Sequence, residues 1–203
     1  MTGRPPIEFW FDFSSGYAYF ASLEIDALAA RVGRDVLWRP YMLGAAFEVT
    51  GARGLSATPL KGDYAVRDWR RIARRLSVPF EPPAGHPVTA LAATRAFYWL
   101  DERSPALSAA FARSGFRAYY AGRFDTGSPE AVAVHAGALA GVDAETVLGG
   151  LADTGLKARV RERSAEALAK GVFGSPFFLV DGEPFWGWDR LPMMERWIAE
   201  GGW

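Results

Sequence analysis

The sequence contains no cysteine, and its 203 residues include only two histidines, His86 and His135. Without a thiol, the chain can form neither a disulfide nor the dithiol centre of an oxidoreductase, and it fits a reducing cytoplasm. A zinc site built from histidine and cysteine is effectively excluded, because cysteine is absent and the two histidines are far apart. We therefore expect no metal, and we assign neither histidine a catalytic role.

The sequence also lacks an excess of charge and a long apolar run. Its 23 basic residues balance 23 acidic residues, whereas nucleic-acid and membrane-surface proteins usually carry a basic excess. No apolar run approaches the roughly 20 residues that span a bilayer. The N-terminus, M-T-G-R-P-P-I-E-F, shows no signal peptide. We expect a cytoplasmic protein that binds neither membrane nor nucleic acid.

Hydrophobic residues, by contrast, are abundant: they make up 50% of the chain, and 14% of the chain is aromatic. A substantial core can therefore form. Residues 7–13 alternate in the pattern of a strand, and residues 17–32 have helical periodicity. Residues 36–41 are predicted to form a second strand. Pro40 indicates that this strand lies at an edge of the sheet or that it ends there. This opening β-α-β unit predicts a parallel pair joined by a right-handed crossover.

The middle of the chain has helical patterns, and the sheet signal returns near the end. Residues 42–62 contain several glycines and are predicted to be a loop. Six helices follow, at residues 64–76, 88–102, 105–120, 129–140, 144–151 and 156–170. Ser104, Ser128 and Asp143 are predicted N-caps. Two strands then flank the hairpin signal Asp181-Gly182, and a helix covers residues 191–200. The prediction is a small α/β domain of residues 1–41 and 171–203, with an all-helical insertion, residues 42–170.

Four separated motifs resemble a known family. They are F-D-F-x-S-x-x-x-Y from Phe11, K-x-x-Y-x-x-x-D-x-x-R from Lys61, V-F-G-x-P from Val172, and W-G-x-D-R-L from Trp186. All four in this order resemble the 2-hydroxychromene-2-carboxylate isomerases, which are related to kappa-class glutathione transferases and to the DsbA-like proteins. The resemblance implies an α/β thioredoxin-like fold, β-α-β … β-β-α, with a large all-helical insertion. It also implies glutathione as cofactor and a homodimer.

The sequence departs from the family pattern at a few places. Gly16 follows Ser15 where the family usually has proline, Ala52 stands where the family often has asparagine after T-G, and Thr89 replaces another frequent asparagine.

Ser15 follows the first strand and begins a helix, so it has two interpretations. One is an ordinary N-cap, with Ser14 as a cap or spacer. The other follows from the preference of helix N-termini for anions. Serine is a poor nucleophile without a base. The resemblance therefore implies that Ser15 donates a hydrogen bond to the glutathione thiolate and lowers the pKa of that thiol.

Ser175 and Pro176 precede the third strand, and they could form a simple turn. The resemblance implies instead a cis peptide bond before Pro176 and pairing of the Ser175 backbone with the cysteinyl part of glutathione. Trp186, Gly187, Trp188 and Asp189 could end a strand and cap the last helix. The resemblance implies that they also hold the γ-glutamyl end of glutathione, with Asp189 meeting its ammonium group.

Lys61, Tyr64, Asp68 and Arg71 are spaced to share one face of a helix. That face could simply be solvated, with an internal pair between Asp68 and Arg71. Alternatively, Lys61 and Tyr64 bind substrate, and Lys61 neutralises a carboxylate of the substrate or of glutathione. The nearby arginine cluster, Arg70 to Arg75, indicates a charged surface rather than a nucleic-acid contact.

The function expected from these residues is a glutathione-dependent isomerase acting on 2-hydroxychromene-2-carboxylate or a related aromatic 2-oxo or 2-hydroxy acid. One alternative is a kappa-like glutathione transferase at the same site. The other is a non-catalytic thioredoxin-like binding module that has kept the cleft but lost the chemistry.

Overall fold

The computed structural model describes residues 4–203, and it contains a four-stranded sheet with nine α-helices in that part of the chain. In chain order the elements are β1 Ile7–Phe11, α1 Gly16–Arg31, β2 Val36–Pro40, α2 Leu43–Thr50, α3 Lys61–Leu76, α4 Leu91–Asp101, α5 Pro105–Tyr119, α6 Pro129–Ala140, α7 Ala144–Ala152, α8 Thr154–Ala169, β3 Phe177–Val180, β4 Glu183–Trp186 and α9 Leu191–Glu200. Two short 3-10 turns occupy Leu55–Ala57 and Trp188–Arg190. The order β-α-β, helices, β-β-α is therefore confirmed.

The sheet has the strand order β2-β1-β3-β4. β1 pairs in parallel with β2, as predicted for a β-α-β unit, and antiparallel with β3. β3 and β4 form the predicted hairpin, and its turn residues Asp181 and Gly182 both have positive φ. Pro40 ends β2, which lies at an edge of the sheet, where a missing N–H does not interrupt a ladder.

The side chains of the central strand β1 are buried on both sides of the sheet. Phe9, Phe11 and Phe13 belong to the main core. There Phe11 lies 5.3 Å from Phe116 of α5, and Phe13 lies 5.1 Å from the same ring, measured between ring centroids. Trp10 points to a smaller cluster on the opposite face of the sheet, with Tyr41 and Phe177. Both faces of β1, and Phe13 just after it, are therefore packed against buried side chains.

The prediction of a loop over residues 42–62 was wrong. Residues Leu43–Thr50 form α2, and Leu55–Ala57 form a 3-10 turn. No side chain next to α2 caps its N-terminus. Instead, Asp12 Oδ2, at the end of β1, accepts a hydrogen bond from the Leu43 N–H at 3.1 Å. The glycines in this segment wrongly indicated a loop. Gly51 ends α2 in a left-handed conformation, and Gly44 is tolerated within the helix.

Other helix boundaries differ by a few residues. α3 begins at Lys61 rather than at residue 64, and α4 begins at Leu91 rather than at residue 88. The predicted N-caps are confirmed: Ser104, Ser128 and Asp143 accept hydrogen bonds from the N–H groups of Ala106, Ala131 and Thr146 respectively. The division into a discontinuous domain, 1–41 and 171–203, and an insertion, 42–170, stays a prediction.

Across residues 4–203, no single helix is both long and apolar enough to cross a bilayer; α6 and α7 meet the criterion only when taken together, and they are bent by 117°.

Candidate functional site

A cavity of about 1140 Å³ lies where the end of β1, α3 and the loop before β3 meet. Its volume is slightly above the roughly 300–1,000 Å³ of a typical small-molecule pocket. All residues that the sequence marked as a candidate site line this one cavity: Ser15, Lys61, Tyr64, Ser175, Pro176, Trp186, Gly187, Trp188 and Asp189. The sequence places these residues up to 174 positions apart (189 − 15), and the fold gathers them.

Ser15 is the N-cap of α1 and also bonds to a distant loop. Its hydroxyl oxygen accepts a hydrogen bond from the Ala18 N–H at 3.2 Å. The hydroxyl hydrogen is donated to the backbone oxygen of Ser175 at 2.7 Å. Within residues 4–203, the N–H groups of Gly16 and Tyr17 donate to no acceptor. These free amides and the helix dipole make the position favourable for an anion.

The peptide bond between Ser175 and Pro176 is cis, as predicted. The loop is held at several points: Tyr41 Oη donates to the oxygen of Gly174 at 2.8 Å, and the Asp12 N–H donates to Ser175 Oγ at 2.8 Å. No acceptor binds the Ser175 N–H in the described part of the chain. A free backbone N–H beside the cavity is the group with which an extended ligand pairs as an added strand does.

Asp12 is the site residue that sequence reasoning missed. It lines the cavity, and its two carboxylate oxygens accept hydrogen bonds from the Ser14 N–H at 2.9 Å and the Leu43 N–H at 3.1 Å. Burial raises the pKa of the Asp12 carboxyl, and these two hydrogen bonds oppose the shift. Asp12 thereby joins β1, the entry to α1 and the start of α2. The available signal was a charged residue inside an otherwise apolar strand end, F-D-F.

Gly16 accommodates a tryptophan from α3. A Cβ atom at Gly16 would lie 2.7 Å from Trp69 Cε2 and 3.0 Å from Trp69 Nε1, closer than real Cβ contacts. Trp69 is buried, and it also lines the cavity. The glycine that replaces the family's usual proline therefore makes room for this indole, which packs directly on the first residue of α1.

Lys61, Tyr64, Asp68 and Arg71 share one face of α3, and all four line the cavity. Asp68 pairs with Arg71 and accepts a hydrogen bond from Tyr17 Oη at 2.8 Å. Burial and the Asp68 carboxylate raise the pKa of the Tyr17 hydroxyl, which stays neutral at physiological pH. Lys61 forms no ion pair with any described residue, so its charge is available to a ligand.

The wall formed by residues 186–189 is partly aromatic. Trp186 is 58% exposed, and it packs on Gly174, where a Cβ atom would meet Trp186 Nε1 at 2.2 Å. Trp188 Nε1 donates to Glu24 Oε2 at 2.9 Å, which fixes that ring. Asp189 does not cap α9, contrary to one interpretation of the sequence, because that helix begins without a side-chain cap. The Asp189 side chain is instead 65% exposed, at the cavity.

Two of the three departures from the family pattern also lie at this cavity. Ala52 lines it together with Arg53, and Thr89 lines it beside Val88. In residues 4–203, no three acidic or histidine side chains come together in a group that could hold a metal ion.

A family model described as the DSBA-like thioredoxin domain matches residues 6–199. The chain belongs to this family. The α/β thioredoxin-like fold is therefore confirmed, and the helices between β2 and β3 agree with a helical insertion. A solved structure titled as a 2-hydroxychromene-2-carboxylate isomerase superposes on this DsbA-like chain with a TM-score of 0.85, at 24% identity, and covers 96% of this chain and 94% of that one.

Curated relatives give more specific similarities. A protein of Sphingobium xenophagum named 2-hydroxychromene-2-carboxylate isomerase is 26% identical to this chain, and the match covers 96% of this chain and 98% of that protein. A protein of the same name in Pseudomonas putida is 27% identical, and the match covers 93% of this chain and 92% of that protein. A glutathione S-transferase kappa 1 of Caenorhabditis elegans is 30% identical over 41% of this chain and 37% of its own. The cytosolic disulfide reductase DsbM of Pseudomonas aeruginosa, solved with GSH, superposes with a TM-score of 0.62 at 18% identity, covering 96% of each chain.

Proposed function

We propose that this DsbA-like protein is a glutathione-dependent isomerase of 2-hydroxychromene-2-carboxylate or a related aromatic 2-oxo or 2-hydroxy acid. The observation that carries the proposal is the position of the Ser15 hydroxyl. It lies at the free N-terminus of α1, against the cis-proline loop and in the cavity of about 1140 Å³. The names of the full-length curated relatives support the reaction.

The donor groups around Ser15 fit a thiolate. The Gly16 and Tyr17 amides are free, and the Ser15 hydroxyl can rotate its single hydrogen from the Ser175 oxygen toward a sulfur anion. Donors aimed at an anion near a helix N-terminus lower the pKa of a thiol. Bound glutathione would supply the nucleophilic sulfur that a chain without cysteine lacks. Ser15 is then the catalytic residue, because it touches the reacting sulfur.

The remaining cofactor-binding residues suit the rest of the tripeptide. The free N–H of Ser175, before cis-Pro176, suits backbone pairing with the cysteinyl part. The exposed Asp189 carboxylate suits the γ-glutamyl ammonium group, and Trp186, Gly187 and Trp188 form the adjoining wall.

The substrate would bind on the α3 side of the cavity. The unpaired Lys61 ammonium suits the substrate carboxylate, and the ring of Tyr64, which is 60% exposed, offers a surface for an aromatic ring. We also propose a homodimer in the cytoplasm. The absence of cysteine from the chain supports a reducing compartment.

A kappa-like glutathione transferase is the second candidate, and the partial similarity to the kappa 1 protein favours it. The two reactions need the same thiolate and differ in its fate. An isomerase releases glutathione unchanged, whereas a transferase leaves it attached to the product.

The test begins with titration calorimetry of glutathione against the purified protein and with an ultraviolet difference spectrum of the bound thiolate. We expect binding with a thiolate signal, followed by isomerisation of 2-hydroxychromene-2-carboxylate with full recovery of free glutathione. Loss of glutathione into a conjugate would favour the transferase. No binding at millimolar glutathione would remove both activities and leave a binding module.

A further inference from the structure

A chain of side-chain contacts runs from the first turn of α1 to the cavity wall formed by α3. Tyr17 Oη donates a hydrogen bond to Asp68 Oδ2 at 2.8 Å, and Asp68 Oδ1 accepts another from the Arg71 guanidinium. The Tyr17 ring also meets the Trp69 ring edge to face, with 5.8 Å between the ring centroids. Tyr17, Asp68 and Arg71 all line the cavity. The two oxygens of Asp68 therefore join Arg71 to the start of the helix that Ser15 caps.

Arg71 lies too far from Lys61 for the two residues to share one carboxylate. They are ten residues apart on α3, which corresponds to about 15 Å along the helix axis. Within residues 4–203 the Arg71 guanidinium makes one hydrogen bond, to Asp68, although a guanidinium has five N–H donors. Arg75, one turn further along α3, also lines the cavity and forms no ion pair with a described residue. This end of α3 therefore offers a second position for an anion, apart from Lys61.

Asp189 lies near the same end of α3. Burial raises the pKa of the Tyr17 hydroxyl, and the charges of Asp68 and Asp189 raise it further, so both carboxylates lie close enough to act on that hydroxyl. An anchored guanidinium and the carboxylate proposed for the γ-glutamyl ammonium group are thus found around one tyrosine. The γ-glutamyl group carries an ammonium and a carboxylate on the same carbon atom, so it needs two partners of opposite charge close together.

Arg190 is the arginine next to Asp189, and it is held less firmly than Arg71. It pairs with Asp189 at 3.4 Å, but the Asp189 side chain is 65% exposed. The Asp68 side chain is 19% exposed, and it accepts hydrogen bonds from two residues. An arginine that is already fixed loses less side-chain freedom when it binds a ligand. Arg71 is therefore the better partner for a ligand carboxylate.

We propose that Arg71 binds the α-carboxylate of the γ-glutamyl group, and that Tyr17 is a positioning residue that holds Asp68 against Arg71. This assignment rests on the proposed function, because it takes glutathione as the ligand. Asp189 and Arg71 then bind the two opposite charges of one amino-acid group. Lys61 remains available for the carboxylate of the substrate.

The test compares glutathione with 4-aminobutanoyl-cysteinylglycine, which lacks the γ-glutamyl carboxylate and keeps the ammonium group. Titration calorimetry of both peptides against the wild-type protein should show about 10-fold tighter binding of glutathione, because a hydrogen bond between charged groups is lost in the analogue. Arg71→Gln should bind the two peptides with nearly equal affinity. Arg190→Gln is the matched control, and it should keep the wild-type ratio of affinities.

Tyr17→Phe tests the positioning role. The ratio of affinities should fall to about 3-fold, because Asp68 loses one of its donors and holds Arg71 less firmly. Tyr98→Phe is the control, since Tyr98 Oη donates to the Pro40 oxygen at 2.6 Å and does not line the cavity. That variant should keep the wild-type ratio. If Tyr17→Phe weakened the binding of both peptides by the same factor, or of neither, Tyr17 would not position Arg71.

The remaining outcomes separate this assignment from the proposed function. Equal binding of the two peptides by the wild-type protein would refute the carboxylate site and leave glutathione binding intact. A ratio that falls in Arg190→Gln but not in Arg71→Gln would give the carboxylate to Arg190 and overturn the assignment. If Arg71→Gln kept the ratio and raised only the KM for the aromatic substrate, Arg71 would bind the substrate instead. Binding of neither peptide would refute the proposed function together with the assignment.

Discussion

Ser15 uses one hydroxyl group for two bonds, one within its own helix and one to a loop 160 residues away. We expect Ser15→Ala to lower the free energy of unfolding by about 1 kcal/mol through loss of the cap. It should also raise the pKa of bound glutathione's thiol and lower turnover, because a donor to the sulfur is removed. Urea unfolding and the thiolate difference spectrum measure the two effects separately.

Ser104→Ala provides the control for that substitution. Ser104 caps α5 through the N–H of Ala106 at 3.2 Å, and it is not among the residues lining the cavity. This variant should also lose about 1 kcal/mol through loss of its cap, without any change in the thiolate spectrum. Equal spectra for wild type and Ser15→Ala would refute the proposed role of Ser15.

Asp12 accepts two backbone hydrogen bonds on two different oxygens, so it tolerates asparagine poorly. In Asp12→Asn one oxygen remains, and the NH₂ group faces a backbone N–H. We expect a loss of about 1–3 kcal/mol in the free energy of unfolding, measured by urea denaturation.

Asp143→Asn is the comparison, because Asp143 caps α7 through the Thr146 N–H, a role in which asparagine serves equally well. If Asp12→Asn left the free energy of unfolding unchanged, the two hydrogen bonds of Asp12 would not be what joins β1 to the starts of α1 and α2.

The helices show which interactions a sequence reveals. Ser104, Ser128 and Asp143 were found as caps because each bonds to an amide two or three residues later. α2 was missed because its first amide bonds to Asp12, 31 residues earlier in the chain. The parallel pairing of β1 with β2 and the hairpin of β3 and β4 followed from local patterns, whereas the antiparallel pairing of β1 with β3 is known only from the structure.

The same distinction applies to the candidate site. Ser15 and the cis bond before Pro176 followed from motifs and a family resemblance, whereas Asp12 escaped notice because both its role and its partners depend on tertiary contacts. The packing of Trp69 on Gly16 joins two helices 53 positions apart (69 − 16), and no local pattern indicates it.

The contact between α1 and α3 at Gly16 gives a prediction at the scale of elements. Alanine normally favours a helix over glycine by about 1 kcal/mol. Gly16→Ala should nevertheless lower the free energy of unfolding by about 1–3 kcal/mol, because its methyl group would overlap Trp69. Thermal or urea unfolding measures the change.

Gly149→Ala is the matched substitution in α7, where a Cβ atom meets nothing within 4 Å. That variant should gain stability. If Gly16→Ala raised the free energy of unfolding as much as Gly149→Ala, Trp69 would not pack against Gly16 as described.

At the scale of the whole molecule, we expect stability to depend on pH through the half-buried histidine His135. His135 packs 4.8 Å from the Phe124 ring, and its Nε2 lies 2.7 Å from Ser114 Oγ. Burial lowers the pKa of His135. As pH falls below the ordinary histidine pKa of about 6.5, the unfolded chain therefore takes up the proton first, and the free energy of unfolding decreases.

His135→Gln should make that decrease smaller. Urea unfolding of wild type and variant at about pH 7.5 and pH 5.5 brackets the ordinary histidine pKa. The dependence of stability on pH that remains in the variant includes a contribution from His86, because burial lowers the pKa of that residue too. Identical losses of stability in the two proteins would exclude His135 as a source of the dependence.

The 160 residues between Ser15 and Ser175 have a consequence for synthesis of the protein. At about 5–20 residues per second, a ribosome needs roughly 8–30 s to add them. Once β2 has been made, it can pair with β1, but the other edge of β1 lacks β3 throughout the rest of that interval. A chain that stalls in the helical segment would leave this edge of β1 unpaired, and it could not close the cavity around Ser15. The site around Ser15 is therefore completed late in synthesis, although Ser15 itself is among the first residues made.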